Sequence, residues 1–203
     1  TLLKKPEDLA VGGCRQHLEM RKDAADKGIT LVKNTLDELP LSPEKHRRLK
    51  LYYVAGEKGG IYSGNDRTVQ QFVDELTQRG YEVTVQEGGS RVKGSIEKFK
   101  AETDAVLFVA EVIGYGAQNN YRIQWSAAMS NEIPWYVHEV PTFAVSLNFT
   151  THLHDLTMVK CFVNAYHSNP DSIHAVLDKL EGRSEFRGTP NDLVWAGKWQ
   201  AKL

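Results

Sequence analysis

From residue 49 onward the chain alternates between short β-prone runs and helical ones, and this alternation constrains its fold more than any other feature. Residues 49–55 precede a helical pattern over 66–79, residues 81–86 precede one over 94–100, and residues 105–110 precede a loop and a helical pattern over 121–130. The second half continues with 142–147, a short segment at 152–156, a run at 159–165 and a helix over 170–180. Strand–helix alternation implies right-handed parallel crossovers and hence a sheet wound in both directions. Val106-Leu107-Phe108-Val109 and Phe143-Ala144-Val145-Ser146-Leu147 are apolar without alternation, as central strands buried on both faces require.

The expected fold is therefore α/β: a doubly wound, mainly parallel sheet with helices on both faces, a three-layer sandwich of flavodoxin-like or Rossmann-like form. Upstream the texture differs. Residues 6–27 read as a helix ended by Gly28, residues 29–34 as a short strand, and Leu39-Pro40-Leu41-Ser42-Pro43 as a connector whose prolines exclude a helix interior. Residues 1–45 are accordingly read as helix and connector, and 46–203 as the sandwich domain. With 203 residues, 41% of them hydrophobic, one sizeable core is expected. The net charge of −1, from 25 Lys+Arg against 26 Asp+Glu, gives no broad field for a phosphate backbone, so nucleic acid is not an expected partner. No run approaches the roughly 18 apolar residues of a membrane-spanning helix. Cys14 and Cys161 stand alone, outside any zinc-like spacing, and read as free thiols.

In sheets of this kind ligands approach the carboxyl ends of the strands, so the informative segments are the loops at 56–67, 87–92, 111–122, 148–154 and 166–171. The glycine-rich loop over 56–64 leads into a helix, where free N–H groups suit an anion. It matches neither dinucleotide nor P-loop spacing, which leaves a structural loop as the other reading. The loop over 111–122 concentrates Tyr115, Gln118, Asn119, Asn120, Tyr121 and Arg122, the amides, ring and guanidinium that a polyhydroxylated or acetamido sugar needs. An asparagine there also suits a helix cap, and Arg122 an ion pair with a neighbouring acid. His152 and His154, two apart near Asp155, lack a third ligand for a metal. Asn148-Phe149-Thr150 is a formal glycosylation acceptor. Asn169, Pro170 and Asp171 read as N-cap, first helical position and first-turn acid.

AADKGITLVKN over 24–34, followed by Leu39-Pro40-Leu41, resembles the entry to the second domain of family 3 glycoside hydrolases. QNNYRIQW over 118–125, EVP over 139–141, VSL over 145–147, VNAY over 163–166, LEG over 180–182 and FRG over 186–188 agree with it in order. The resemblance implies a missing N-terminal (β/α)8 barrel as partner, a carbohydrate substrate, and no metal or organic cofactor. The family's β-glucosidases take a general-acid glutamate from a glycine-rich loop of this domain. The matching stretch here, Tyr166-His167-Ser168-Asn169-Pro170-Asp171-Ser172, has no glutamate, and Asp171 falls near that slot. In the β-N-acetylhexosaminidase branch the nucleophile and the acid/base both lie in the barrel, and this sequence fits that branch better. The resemblance thus implies that the chain alone carries no catalytic residue and is inert. For the whole protein it implies a retaining hydrolase that removes terminal β-linked N-acetylglucosamine. Tyr115, Asn119, Asn120, Arg122 and Asp171 are the candidates for contact with sugar or barrel. The alternatives are the second domain of a family 3 β-glucosidase, or a free-standing flavodoxin-like module for a small ligand.

Overall fold

A computed structural model describes residues 13–55, 66–86, 95–112, 122–123, 125, 133–195 and 197. Its strands are β1 (Thr30–Asn34), β2 (Arg48–Ala55), β3 (Glu82–Val85), β4 (Ala105–Glu111), β5 (Thr142–Ser146) and β6 (Cys161–Asn164). Its α-helices are α1 (Arg15–Gly28), α2 (Asp66–Gln78), α3 (Ile96–Glu102) and α4 (Pro170–Leu180). The strands form one sheet in the order β1-β6-β5-β4-β2-β3. Every neighbouring pair is parallel except β1 and β6. From β2 the chain steps out to β3, returns across β2 to β4, and continues to β5 and β6. The winding therefore reverses between β2 and β4, the switch point of a doubly wound sheet.

Every residue of β4 and β5 is buried, which explains their unbroken apolar runs. On one face Leu51, Leu107, Val109, Phe143, Val145 and Val163 pack with Phe72 and Leu76 of α2 and with Ile173, Val176 and Leu180 of α4. On the other, Val54, Val106, Phe108, Ala144 and Phe162 meet Tyr136 and Leu153, with Phe99 of α3 at the margin. Tyr136 and Leu153 belong to 3-10 turns, Trp135–His138 and Thr150–His154, so this second layer is thinner. Phe108 and Phe143 are fully buried, and each contributes about 2–3 kcal/mol of transfer free energy.

Helix starts follow their sequence signals. Asn169 Oδ1 accepts the Ser172 N–H at 2.8 Å with Pro170 at the first position of α4, and Ser95 Oγ accepts the Lys98 N–H at 3.2 Å at the start of α3. The helix expected over 121–130 is not seen at its described residues Arg122, Ile123 and Trp125. The Ile123 N–H donates to the Asp155 carboxylate at 2.9 Å.

The sheet also takes in part of the segment read as connector over residues 1–45. β1 is its edge strand, Ile29 and Leu41 are fully buried in the core, and the Leu41 N–H donates to Leu180 O at 2.8 Å. α1 has no buried residue and is fastened to α4 by charge. Arg21 pairs with Asp171, and the buried Lys179 ammonium reaches Asp26 at 2.9 Å. Cys14 and Cys161 are free thiols, Cys161 buried in β6 where desolvation pushes its thiol up. Among the described residues no helix is long and apolar enough to cross a membrane.

Candidate functional site

The two edges of the sheet differ in chemistry. At the amino ends of the parallel strands lie ordinary surface pairs: Arg47 with Glu82 at 2.8 Å, and Arg48 with Asp104. Hydrogen bonds from Arg48 hold the Asp104 carboxyl below its usual range. At the carboxyl ends, three strands finish on polar side chains withdrawn from water. Glu111 of β4 is 1% exposed, and Ser146 of β5 and Asn164 of β6 are fully buried. Thr30, which opens the antiparallel β1 at the same edge, is 3% exposed. Buried polar groups are costly unless bonded, so their partners show what this edge is built to hold.

At the switch point the Tyr53 hydroxyl donates to Glu111 Oε2 across the β2–β4 pair. No cationic side chain among the described residues pairs with this carboxylate. The segments that leave these two strands are the ones read from the sequence as ligand loops, over 56–67 and 111–122. The strands they leave, β2 and β4, are neighbours at the switch point, where sheets of this class place their ligands.

One strand over, Ser146 Oγ lies 2.8 Å from His152 Nδ1 and accepts the Phe149 N–H at 3.1 Å and the Asn148 N–H at 3.3 Å. Ser146, His152 and Asp155 have the composition of a nucleophilic triad, but their geometry is structural. Ser146 and His152 are fully buried, the serine oxygen is occupied by backbone, and the Asp155 carboxylate is bound elsewhere. Burial lowers the His152 pKa to about 4, so the imidazole is neutral, and its Nε2 has no hydrogen-bond partner among the described residues. No group of three or more His, Cys, Asp or Glu among those residues could hold a metal.

At β6, Asn164 Nδ2 donates to Thr150 Oγ1 at 2.7 Å, and Asn164 Oδ1 accepts the Tyr166 N–H at 3.4 Å. The Tyr166 hydroxyl shares a 3.0 Å hydrogen bond with Thr30 Oγ1. Tyr166 has φ +61°, a left-handed conformation that costs a non-glycine residue on the order of 1 kcal/mol.

Of the candidates named from sequence, Tyr115, Asn119 and Asn120 lie outside the described residues. Arg122 is on the surface, and its Nε donates to both Asp155 oxygens, at 2.8 and 2.9 Å, so the ion-pair reading of this residue holds. Asp171 sits in the first turn of α4, largely covered and paired with Arg21. The structure does not bring Arg122 and Asp171 into contact with one another. Sequence reasoning passed over Glu111, Ser146, Asn164 and Tyr53. Their signal was an apolar strand closing on a single polar residue: AVLFVA before Glu111, TFAV before Ser146, CFV before Asn164.

No family model matches the chain. Over 193 residues it is 32% identical to a curated β-N-acetylglucosaminidase/β-glucosidase of Cellulomonas fimi, covering 92% of this chain and 34% of that protein. Among solved structures it is similar to the β-glucoside phosphorylase BglX, with a TM-score of 0.80 and 32% identity over 91% of this chain and 33% of that one. A family 3 β-N-acetylglucosaminidase from a Paenibacillus species shares the fold, with a TM-score of 0.61 and 19% identity over 86% of this chain and 32% of that one. The chain spans about one third of the length of these relatives. The chain is thus similar in sequence and fold to about one third of enzymes named β-N-acetylglucosaminidase/β-glucosidase and β-glucoside phosphorylase, and it shares its fold with part of the Paenibacillus enzyme.

Proposed function

We propose that the chain is the second domain of a retaining family 3 glycosidase that releases terminal β-linked N-acetylglucosamine, its carboxyl-end edge turned toward the sugar site. The observation that carries this is the 32% identity, across nearly the whole chain, to an enzyme named for both N-acetylglucosaminidase and glucosidase activity. The loop over 166–172 has no glutamate to serve as general acid, which favours an arrangement with nucleophile and acid/base both outside this domain. Asp171 is held by Arg21 and contributes to docking α1. The domain's share is to pack on the barrel and to shape the outer part of the sugar site from the switch-point side of the sheet.

The test is hydrolysis by the longer protein carrying this domain. It should act on chromogenic β-N-acetylglucosaminides and, to a lesser degree, on β-glucosides. Asn120→Ala and Arg122→Ala should lower kcat/KM, and wild-type values in both variants would rule out a role for the 111–122 loop. A reversed preference would place the protein with the β-glucosidases.

A second reading concerns the acceptor. Two of the similar solved structures, at 32% and 31% identity, are of a β-glucoside phosphorylase. In this reading phosphate rather than water takes the glycosyl group. Turnover would then rise with inorganic phosphate and yield the sugar 1-phosphate.

A further inference from the structure

Tyr166 combines two features that a purely structural tyrosine does not need together. Its position is fixed at both ends. The backbone N–H is held by Asn164, itself buried and tied to Thr150, and the hydroxyl is held by Thr30. The left-handed backbone that results is one a tyrosine rarely adopts. Yet the anchored residue is 44% exposed, and among the described residues it is the only aromatic with so much large apolar surface in water.

We propose that the exposed Tyr166 ring is a stacking platform for a pyranose ring of an oligosaccharide, at a subsite other than the one being cleaved. The inference rests on the glycosidase reading above. The negative face of an aromatic ring suits the C–H face of a sugar, and ring and fixed backbone together lose little entropy on binding. With the hydroxyl engaged by Thr30, the residue offers a face and no acid or base, so it belongs to recognition and not to bond cleavage. Tyr166 follows β6, two strands from β4, so about 10 Å of sheet separates it from the β4 side of the switch point. That separation places it at a neighbouring sugar of the same chain.

The test compares β-linked tri- and disaccharides with methyl β-glycosides, which lack the second ring, on the longer protein carrying this domain. Tyr166→Ala should raise KM for the trisaccharide about tenfold, with kcat and the methyl glycoside unaffected. Tyr166→Phe keeps the ring and should stay within about twofold. Tyr166→Gly separates platform from scaffold: glycine accepts the left-handed backbone freely, so it should melt no lower than Tyr166→Ala while KM rises as in that variant. An unchanged trisaccharide KM in the Ala and Gly variants would overturn the proposal, as would a parallel loss on methyl glycosides. If the wild type cleaves none of these substrates, the glycosidase reading fails. The platform is then judged by calorimetric titration of the same longer protein with the trisaccharides, wild type against Tyr166→Ala. Saturable binding weakened in the variant supports it, and binding that is absent or equal in both refutes it.

Discussion

The attachment of α1 to the sandwich should depend on one buried ion pair, and a mutant cycle can measure it. Lys179 is fully buried along its side chain, and all three ammonium protons have partners: Asp26 Oδ1 at 2.9 Å, Glu185 O at 2.7 Å and Ser184 Oγ at 3.3 Å. Burial pushes the Asp26 carboxyl up, but hydrogen bonds from Lys179 and Ser184 outweigh it and leave the carboxyl below its usual range. Asp26→Asn leaves a buried ammonium without its counter-charge. Breaking a buried pair from one side costs about 3–5 kcal/mol, and because Asp26 is one-third exposed we expect about 2. Lys179→Met is close in shape and removes the charge with its desolvation penalty, but it strands the Glu185 carbonyl, for about 1–2 kcal/mol. The double variant has no buried charge left to strand, so its cost should fall short of the sum of the singles by at least about 1 kcal/mol. Urea unfolding at pH 7, followed by circular dichroism and tryptophan fluorescence, measures all four corners of the cycle. Because α1 buries no residue of its own, both single variants should also expose residues 15–28 to limited proteolysis. Additivity within about 0.5 kcal/mol would refute the claim that this pair is coupled and buried.

His152, neutral in the fold with its pKa lowered to about 4, takes up a proton readily only when the chain unfolds. Its contribution is therefore complete above about pH 6.5 and is lost as pH falls toward 4, by up to about 3 kcal/mol; His152→Asn should flatten the stability–pH curve in that window. Gly188 lies against β1, where an added Cβ would stand 2.5 Å from Thr30 Cγ2 and 2.8 Å from Ile29 O. Gly188→Ala should cost about 1–3 kcal/mol in urea unfolding, and Thr30→Ser should recover only part, because the backbone clash remains. Asp155→Ala removes the carboxylate that pairs with Arg122 and accepts the Ile123 N–H. Since Arg122 is mostly exposed, the loss should be about 1 kcal/mol, read most directly as faster amide exchange at Ile123.

Much of the fold was legible in the sequence because buried parallel strands must be apolar on both faces. The runs at 105–110 and 142–147 announce β4 and β5, and the Asn169-Pro170 pair marks the start of α4 to the residue. Local signals stop where a partner is distant. Arg122 finds Asp155 33 residues away, and Asp171 finds Arg21 150 residues away, so no window around either residue could show its ion pair. The Ile123 N–H likewise finds its acceptor, the Asp155 carboxylate, 32 residues away.

By itself, then, the amino-acid sequence determined the alternation of elements, the apolar core of the sheet and the helix caps, since each follows from solvation and sterics within a few residues. Only the tertiary structure decided the strand order, with its reversal between β2 and β4, and the antiparallel β1 at the edge. It also decided that polar residues ending separate strands, from Glu111 to Asn164, line one buried edge, and that Tyr166 stands out from that edge in a backbone conformation no sequence pattern foretells. These properties arise from pairing between segments far apart in the chain, which only the packed sheet brings together.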